Sequence, residues 1–140
     1  MSNKISILLM EDNPGDVQLL RLALSTAGVD CEFIVISDGA QAIQFANQCA
    51  EDSGRIVPDL AILDMDLPKH DGLAILEALR GSAHFAALPV VILTSSPTLR
   101  ELPKLQSLGI TRHLTKPPDL DAFMALGVVI KEILEANRRS

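Results

Sequence analysis

The chain has 140 residues, 48% of them apolar and 21% charged, and carries a formal charge of −6 at pH 7. That length holds one domain (1–140) with a sizeable core, and the balance of apolar and charged residues excludes disordered and fibrous classes. The acidic charge, with no long basic stripe to neutralise phosphates, argues against direct nucleic-acid binding, and the short NRRS tail does not alter this.

The opening segment ISILLM (5–10) reads as a strand. It is too brief for a signal peptide and lacks a small-residue cleavage site, and the longest apolar run, FMALGVVI, is far short of a bilayer span. A cytoplasmic protein is the expectation. Asn13-Pro14 then supplies an N-cap and a first helical residue with its φ already set, and Asp16 falls in the positively polarised first turn. Val17, Leu20, Leu24 and Ala27 mark one face of this helix, and Gly28 ends it. CEFIVIS (31–37) is the second strand, and the second helix is expected over about 39–51. Cys31 and Cys49 have neither metal-ligand nor redox-motif spacing, so both read as buried structural thiols in a reducing compartment.

The third strand, DLAIL (59–63), is solidly apolar and is followed by a helix over about 72–80. PVVIL (89–93) is the fourth strand. The helix after it is poorly written: Ser96-Pro97 resembles a start, but Pro103 would remove a hydrogen bond from a helix already running. A late start or a kink near Pro103 is expected, with Gly109 closing the helix. ITRHL (110–114) is the fifth strand. The last helix follows acidic Asp119 and Asp121 and carries Leu120, Phe123, Gly127, Ile130 and Leu134 on one stripe. Its leucines are core first, and an exposed remainder is available for a homodimer contact.

Five strands alternating with helices imply right-handed crossovers and a parallel sheet covered on both faces, which explains the uninterrupted apolar strands. The expected architecture is α/β, a flavodoxin-like (βα)5 doubly wound sheet of order 2-1-3-4-5. In that order, ligands bind beyond the carboxyl ends of the strands, at the switch point between strands 1 and 3. Strand 1 ends in Glu11 and Asp12, strand 3 in Asp64 with Asp66 beyond it, strand 4 in Thr94 and Ser95, and strand 5 leads to Lys116. Two carboxylates about 4 Å apart repel by roughly 4 kcal/mol at an effective dielectric near 20. Either one of them protonates or a cation sits among them, and a small hard dication with oxygen ligands, Mg2+, suits such a site. One carboxylate, Asp64, is then placed to attack a phosphoryl group and form an acyl phosphate. The Thr94 hydroxyl, the Lys116 ammonium and backbone N–H groups near Met65 and Ser95 would take up its oxygens.

The stretches LLMEDNPGD, PDLAILDMDLPKHDG, PVVILTSS and HLTKPPD resemble the receiver domain of two-component response regulators over nearly the whole chain. Each alone is modest, but all four in order at matching strand ends are specific. EDNPGDVQLL and LPKHDG are most similar to the single-domain regulators that partner phytochrome-type sensor kinases. The resemblance implies a phosphoprotein signalling switch rather than a turnover enzyme, with a sensor histidine kinase as donor and no output domain following. It implies Asp64 as phosphoacceptor and Mg2+ held by Asp12, Asp64 and the carbonyl of Asp66, with Glu11 reaching the ion through water. Thr94 and Lys116 match the family's hydroxyl and lysine, and the Lys116–Pro117 bond falls where the family usually has a cis peptide.

Two positions depart from the pattern. Three residues before Lys116 the family usually has an aromatic that swings inward when the hydroxyl residue closes on phosphate; here it is His113, whose imidazole would make that coupling weaker or pH-sensitive. Asp66 adds a negative side chain where a neutral one is usual, and is expected to orient a hydrolytic water and shorten the phosphorylated lifetime. His70 and His84 read as solvent-facing loop residues. Two rival functions share parts of the pattern. A haloacid-dehalogenase-type phosphatase also uses DxD, a strand-end hydroxyl and a lysine, but its DxD strand normally comes first and a further acidic pair follows the lysine. A receiver-like interaction module that is never phosphorylated would have no need of the acid, hydroxyl and lysine together.

Overall fold

The computed structural model describes residues 4–49, 58–65, 72–82, 85–95 and 102–138, without the side chains of 48, 49 and 138. Within them the chain alternates strand and helix as β1 (Ile5–Met10), α1 (Pro14–Thr26), β2 (Cys31–Ile36), α2 (Gly39–Cys49), β3 (Leu60–Asp64), α3 (Gly72–Arg80), β4 (Val90–Thr94), α4 (Leu102–Ser107), β5 (Arg112–Thr115) and α5 (Leu120–Arg138). The sheet order is β2-β1-β3-β4-β5, and all four pairings are parallel. The expected doubly wound sheet is therefore present, with the order reversing between β1 and β3.

Period-two alternation along the strands feeds two cores. Leu8, Met10, Ala61, Leu63, Val90 and Ile92 pack with Ile75, Leu76, Leu79 and Leu105 on the face covered by α2, α3 and α4. Ile7, Leu9, Leu60, Ile62, Val91 and Leu93 pack with Leu20, Leu24, Phe123 and Ile130 on the face covered by α1 and α5. A strand buried on both faces has no place for a polar residue except at its end. The acids of β1 and β3 accordingly appear where the sheet stops.

The helix boundaries follow their local signals. Asn13 Oδ1 accepts from the N–H groups of Gly15 (2.8 Å) and Asp16 (3.3 Å), and Gly28 adopts φ +86° after the C-cap. Asp38 caps α2 in the same way, accepting from Ala40 at 2.7 Å. Pro103 lies in the first turn of α4, where its missing N–H costs nothing, so the late start is observed; the Ser96-Pro97 segment lies outside the described residues. The α5 stripe is correct for Phe123, Gly127, Ile130 and Leu134, but Leu120, at the very start of α5, is 56% exposed. Ala23 rather than Ala27 completes the buried face of α1. Cys31 is only half-buried, because β2 is an edge strand, and its partial burial pushes the thiol above its ordinary range. The Cys49 side chain, His70 and His84 lie outside the described residues.

One tie was not foreseen. The Arg80 guanidinium, at the end of α3, donates to the carbonyls of Leu108 (2.7 Å), Phe85 (2.9 Å), Leu88 (2.8 Å) and Gly109 (3.1 Å). It thus joins the turn before β4 to the negatively polarised C-terminal end of α4. Arg80→Met keeps the apolar stem but strands these carbonyls. The expected cost is about 3 kcal/mol, read from urea denaturation by circular dichroism, since the chain has no Trp or Tyr. Faster amide exchange should be concentrated at Leu108 and Gly109.

Candidate functional site

The strand ends converge as the topology requires. Glu11 follows β1, Asp64 is the last residue of β3, and carboxylate oxygens of Glu11, Asp12 and Asp64 all lie within 4.8 Å of one another. Glu11 and Asp64 are each 1% exposed, whereas Asp12 faces solvent. Backbone pairing fixes this geometry: the Glu11 N–H donates to the Ile36 carbonyl (3.0 Å), and Asp64 stands in register with Leu93. The donor set is all oxygen, negative and partly open to water through Asp12, which fits a hard divalent cation.

Lys116 enters from the far side of the sheet. Its N–H donates to the Thr94 carbonyl (2.7 Å), which sets the chain beside the end of β4. Its ammonium lies 2.9 Å from Asp16 Oδ2, 3.1 Å from Asp64 Oδ2 and 3.1 Å from Glu11 Oε1. The first two are hydrogen bonds; the Glu11 contact is an ion pair without a directed bond. The sequence reading placed Lys116 on an incoming phosphoryl oxygen, and here it bridges the acids themselves. Asp16, read only as a first-turn helix acid, is a neighbour of Lys116 that reading missed. The one signal for it was its place one turn into the helix that starts beside Glu11 and Asp12.

The electrostatics follow from crowding. Burial, then the hydrogen bond and charge of Asp64, push the Glu11 carboxyl up to about 8, with Lys116 only partly offsetting them. For Lys116, burial works against the ammonium, but the bond to Asp16 and the charges of Asp64 and Glu11 outweigh it and hold the ammonium above its usual range. Lys116 thus offsets part of the repulsion among the carboxylates, and the remainder favours the protonated form of Glu11.

The remaining expected residues are placed as follows. Thr94 closes β4, is 1% exposed and pairs in register with Thr115. His113 pairs with Ile92 two steps earlier on the same strands; it is half-buried, and its Nε2 is enclosed without a hydrogen-bond partner among the described residues. Asp66 lies outside the described residues. Two expectations are corrected. The Met65 N–H already donates to the Leu93 carbonyl (2.8 Å), continuing the β3–β4 ladder, so it is not available to a phosphoryl oxygen. The Lys116–Pro117 peptide is trans, the form that X–Pro bonds favour by about 0.5–1 kcal/mol.

A family model described as the response regulator receiver domain matches residues 7–126. Response regulator Rcp1 from Synechocystis sp. is 34% identical over 114 residues, covering 81% of this chain and 78% of that protein. Among solved structures, the phosphorylated cyanobacterial phytochrome response regulator RcpA superposes with a TM-score of 0.80 at 29% identity over 94% of each chain. The Mn2+-bound form of Rcp1 superposes with a TM-score of 0.77 at 31% identity over 91% of each chain. Among the described residues, no helix is long and apolar enough to cross a membrane.

Proposed function

The chain belongs to the response regulator receiver domain family, and on that premise we propose that it is the phosphoryl-accepting switch of a two-component system, with Asp64 as acceptor and a sensor histidine kinase as donor. The observation that carries this reading is the meeting of the Glu11, Asp12 and Asp64 carboxylates with the Lys116 ammonium at one sheet edge. The phosphatase and unphosphorylated-module alternatives are not favoured: the acid stands at the end of the third strand rather than the first, and the full charged set is present. Similarity to RcpA, a cyanobacterial phytochrome response regulator, supports a phytochrome-type kinase as the partner class.

An Asp64 carboxylate oxygen attacks phosphorus while the P–N bond of the donor phosphohistidine breaks. The bond pair stays on the ring nitrogen, which takes up a proton. Glu11, Asp12 and Asp64 would hold Mg2+, together with the Asp66 carbonyl that the family pattern supplies, and the ion would neutralise charge on the carboxylates and the phosphoryl oxygens. The Lys116 ammonium and the Thr94 hydroxyl take the other developing charges. Closure of Thr94 on the phosphoryl group then shifts His113, which stands in register with Ile92 two residues before Thr94, and the shift carries the change to β5 and α4. An unchanged His113 rotamer between free and beryllofluoride-bound chains would remove that last step. The whole reading is tested with acetyl phosphate and Mg2+, where one hydroxylamine-labile phosphoryl group per chain, mapped by mass spectrometry to Asp64, is expected. Its absence, or continuing release of phosphate from simple esters, overturns it.

The Glu11 proton makes metal binding pH-dependent. Its carboxyl is raised from 4.5 to about 8 in the folded chain. Its contribution to stability is therefore fully present below about pH 4.5 and lost as pH rises through about 8. Mg2+ must displace that proton, so its affinity should rise by up to about tenfold per pH unit up to about pH 8 and then level off. Calorimetry in buffers of differing ionisation enthalpy should find close to one proton released per ion near neutral pH. A flat affinity across this range would place Glu11 outside the metal's influence.

A further inference from the structure

Among the described residues, the acid nearest the Lys116 ammonium is one to which the proposed metal binding and phosphoryl transfer give no part. Asp16 Oδ2 is 2.9 Å from Nζ, against 3.1 Å for both Glu11 and Asp64, and of these three acids it alone stands outside the cluster able to meet one ion. It is also firmly placed. Its N–H is held by the Asn13 cap, and the next turn of α1 is buried through Val17 and Leu20. The tie spans 100 positions of sequence and joins α1 to the segment after β5.

The other two contacts weaken as the site works. An ion held by Glu11 and Asp64 would draw their oxygens away from the ammonium, and phosphorylation would turn one charged Asp64 oxygen into the bridging oxygen of an acyl phosphate. A lysine has a long, freely rotating stem and strong affinity for water. Once an ion turns two of its partners away, and before a phosphoryl oxygen reaches it, the ammonium is held less tightly than in this arrangement. Building on Asp64 as acceptor, we propose that Asp16 is a positioning residue that tethers the Lys116 ammonium beside Asp64 while the metal and the phosphoryl group withdraw its other acidic partners. The bond to Asp16 is also the largest of the influences that keep this ammonium charged. Asp16 touches neither the ion nor phosphorus; it acts through Lys116.

The test compares wild type, Asp16→Ala and Asp16→Asn by phosphorylation rate with acetyl phosphate and Mg2+, by Mg2+ affinity from calorimetry, and by hydrogen exchange of the Lys116 ammonium in NMR. Asp16→Ala should be slower by about tenfold, the equivalent of one charge-assisted hydrogen bond. Asp16→Asn keeps an acceptor oxygen and should stay within about threefold. Mg2+ affinity should change by less than about twofold in both, and the ammonium protons should exchange faster in Asp16→Ala. The proposal is overturned if Asp16→Ala reacts at the wild-type rate or faster, if both variants slow equally, or if Mg2+ affinity falls in step with rate. A wild-type chain that takes up no phosphoryl group would instead remove Asp64 as acceptor.

Discussion

An Asp64→Asn chain is expected to fold like wild type and to take up no phosphoryl group, with the transfer rate down by at least about a thousandfold. The amide matches the carboxylate in shape, so the packing of Leu63 and the register with Leu93 survive. What is lost is the charged oxygen that must form the new bond. A second consequence separates this change from simple damage. Asp64 supplies both the hydrogen bond and the charge that, after burial, raise the Glu11 carboxyl. Removing its charge should move that carboxyl down towards, but not to, its ordinary value, because burial remains. The pH above which Mg2+ binding levels off should therefore fall, while the affinity itself weakens for want of one carboxylate. Phosphoryl uptake persisting in Asp64→Asn, on Asp12 for example, would defeat the assignment of the acceptor.

Gly127→Ala is expected to be the most destabilising single methyl group in α5. The added Cβ would fall on the Ala23 carbonyl oxygen and carbon, where α1 and α5 cross. Those obstructing atoms are main chain, and relief requires the two helices to part along a contact that includes Leu20, Leu24 and Ile130. Overpacking of this kind costs about 3 kcal/mol. Ala23→Gly in the same chain should restore little, since the carbonyl stays in place. Gly72→Ala makes the contrast. Its Cβ would meet the Met65 side chain, whose Sδ and Cε can swing aside, so its cost should be nearer 1 kcal/mol. Urea midpoints followed by circular dichroism give all three values. Equal losses at Gly127 and Gly72 would show that the crossing is softer than its geometry indicates. Because α1 also carries Asp16, any separation of the helices should loosen the tie to Lys116 as well.

Much of this protein was legible in one dimension. Strand and helix periods, the Asn13 cap, Gly28 and Gly109 at helix ends, and the late start at Pro103 all depend on neighbours a few residues apart, and each is found where such signals place it. Glu11, Asp12, Asp64, Thr94 and Lys116 could be named as one constellation because a parallel sheet of known order delivers strand ends to a common edge. The misreadings have a single kind of cause. Leu120 fits the α5 stripe but sits at the helix start, where it is left exposed. Of the N–H groups near Met65, that of Met65 itself is taken by the β3–β4 ladder, which runs one residue further. The sequence by itself therefore determined the elements, their order and which polar side chains stand at the strand ends, because those rest on local sterics and on polarity. Only the tertiary structure decided that Lys116 bridges Glu11, Asp16 and Asp64, that burial and Asp64 raise the Glu11 carboxyl, that Arg80 ties α3 to α4, and that Gly127 must lack a side chain. Each of these depends on distances between segments far apart along the chain, which only the packing of α1, α5 and the strand ends could set.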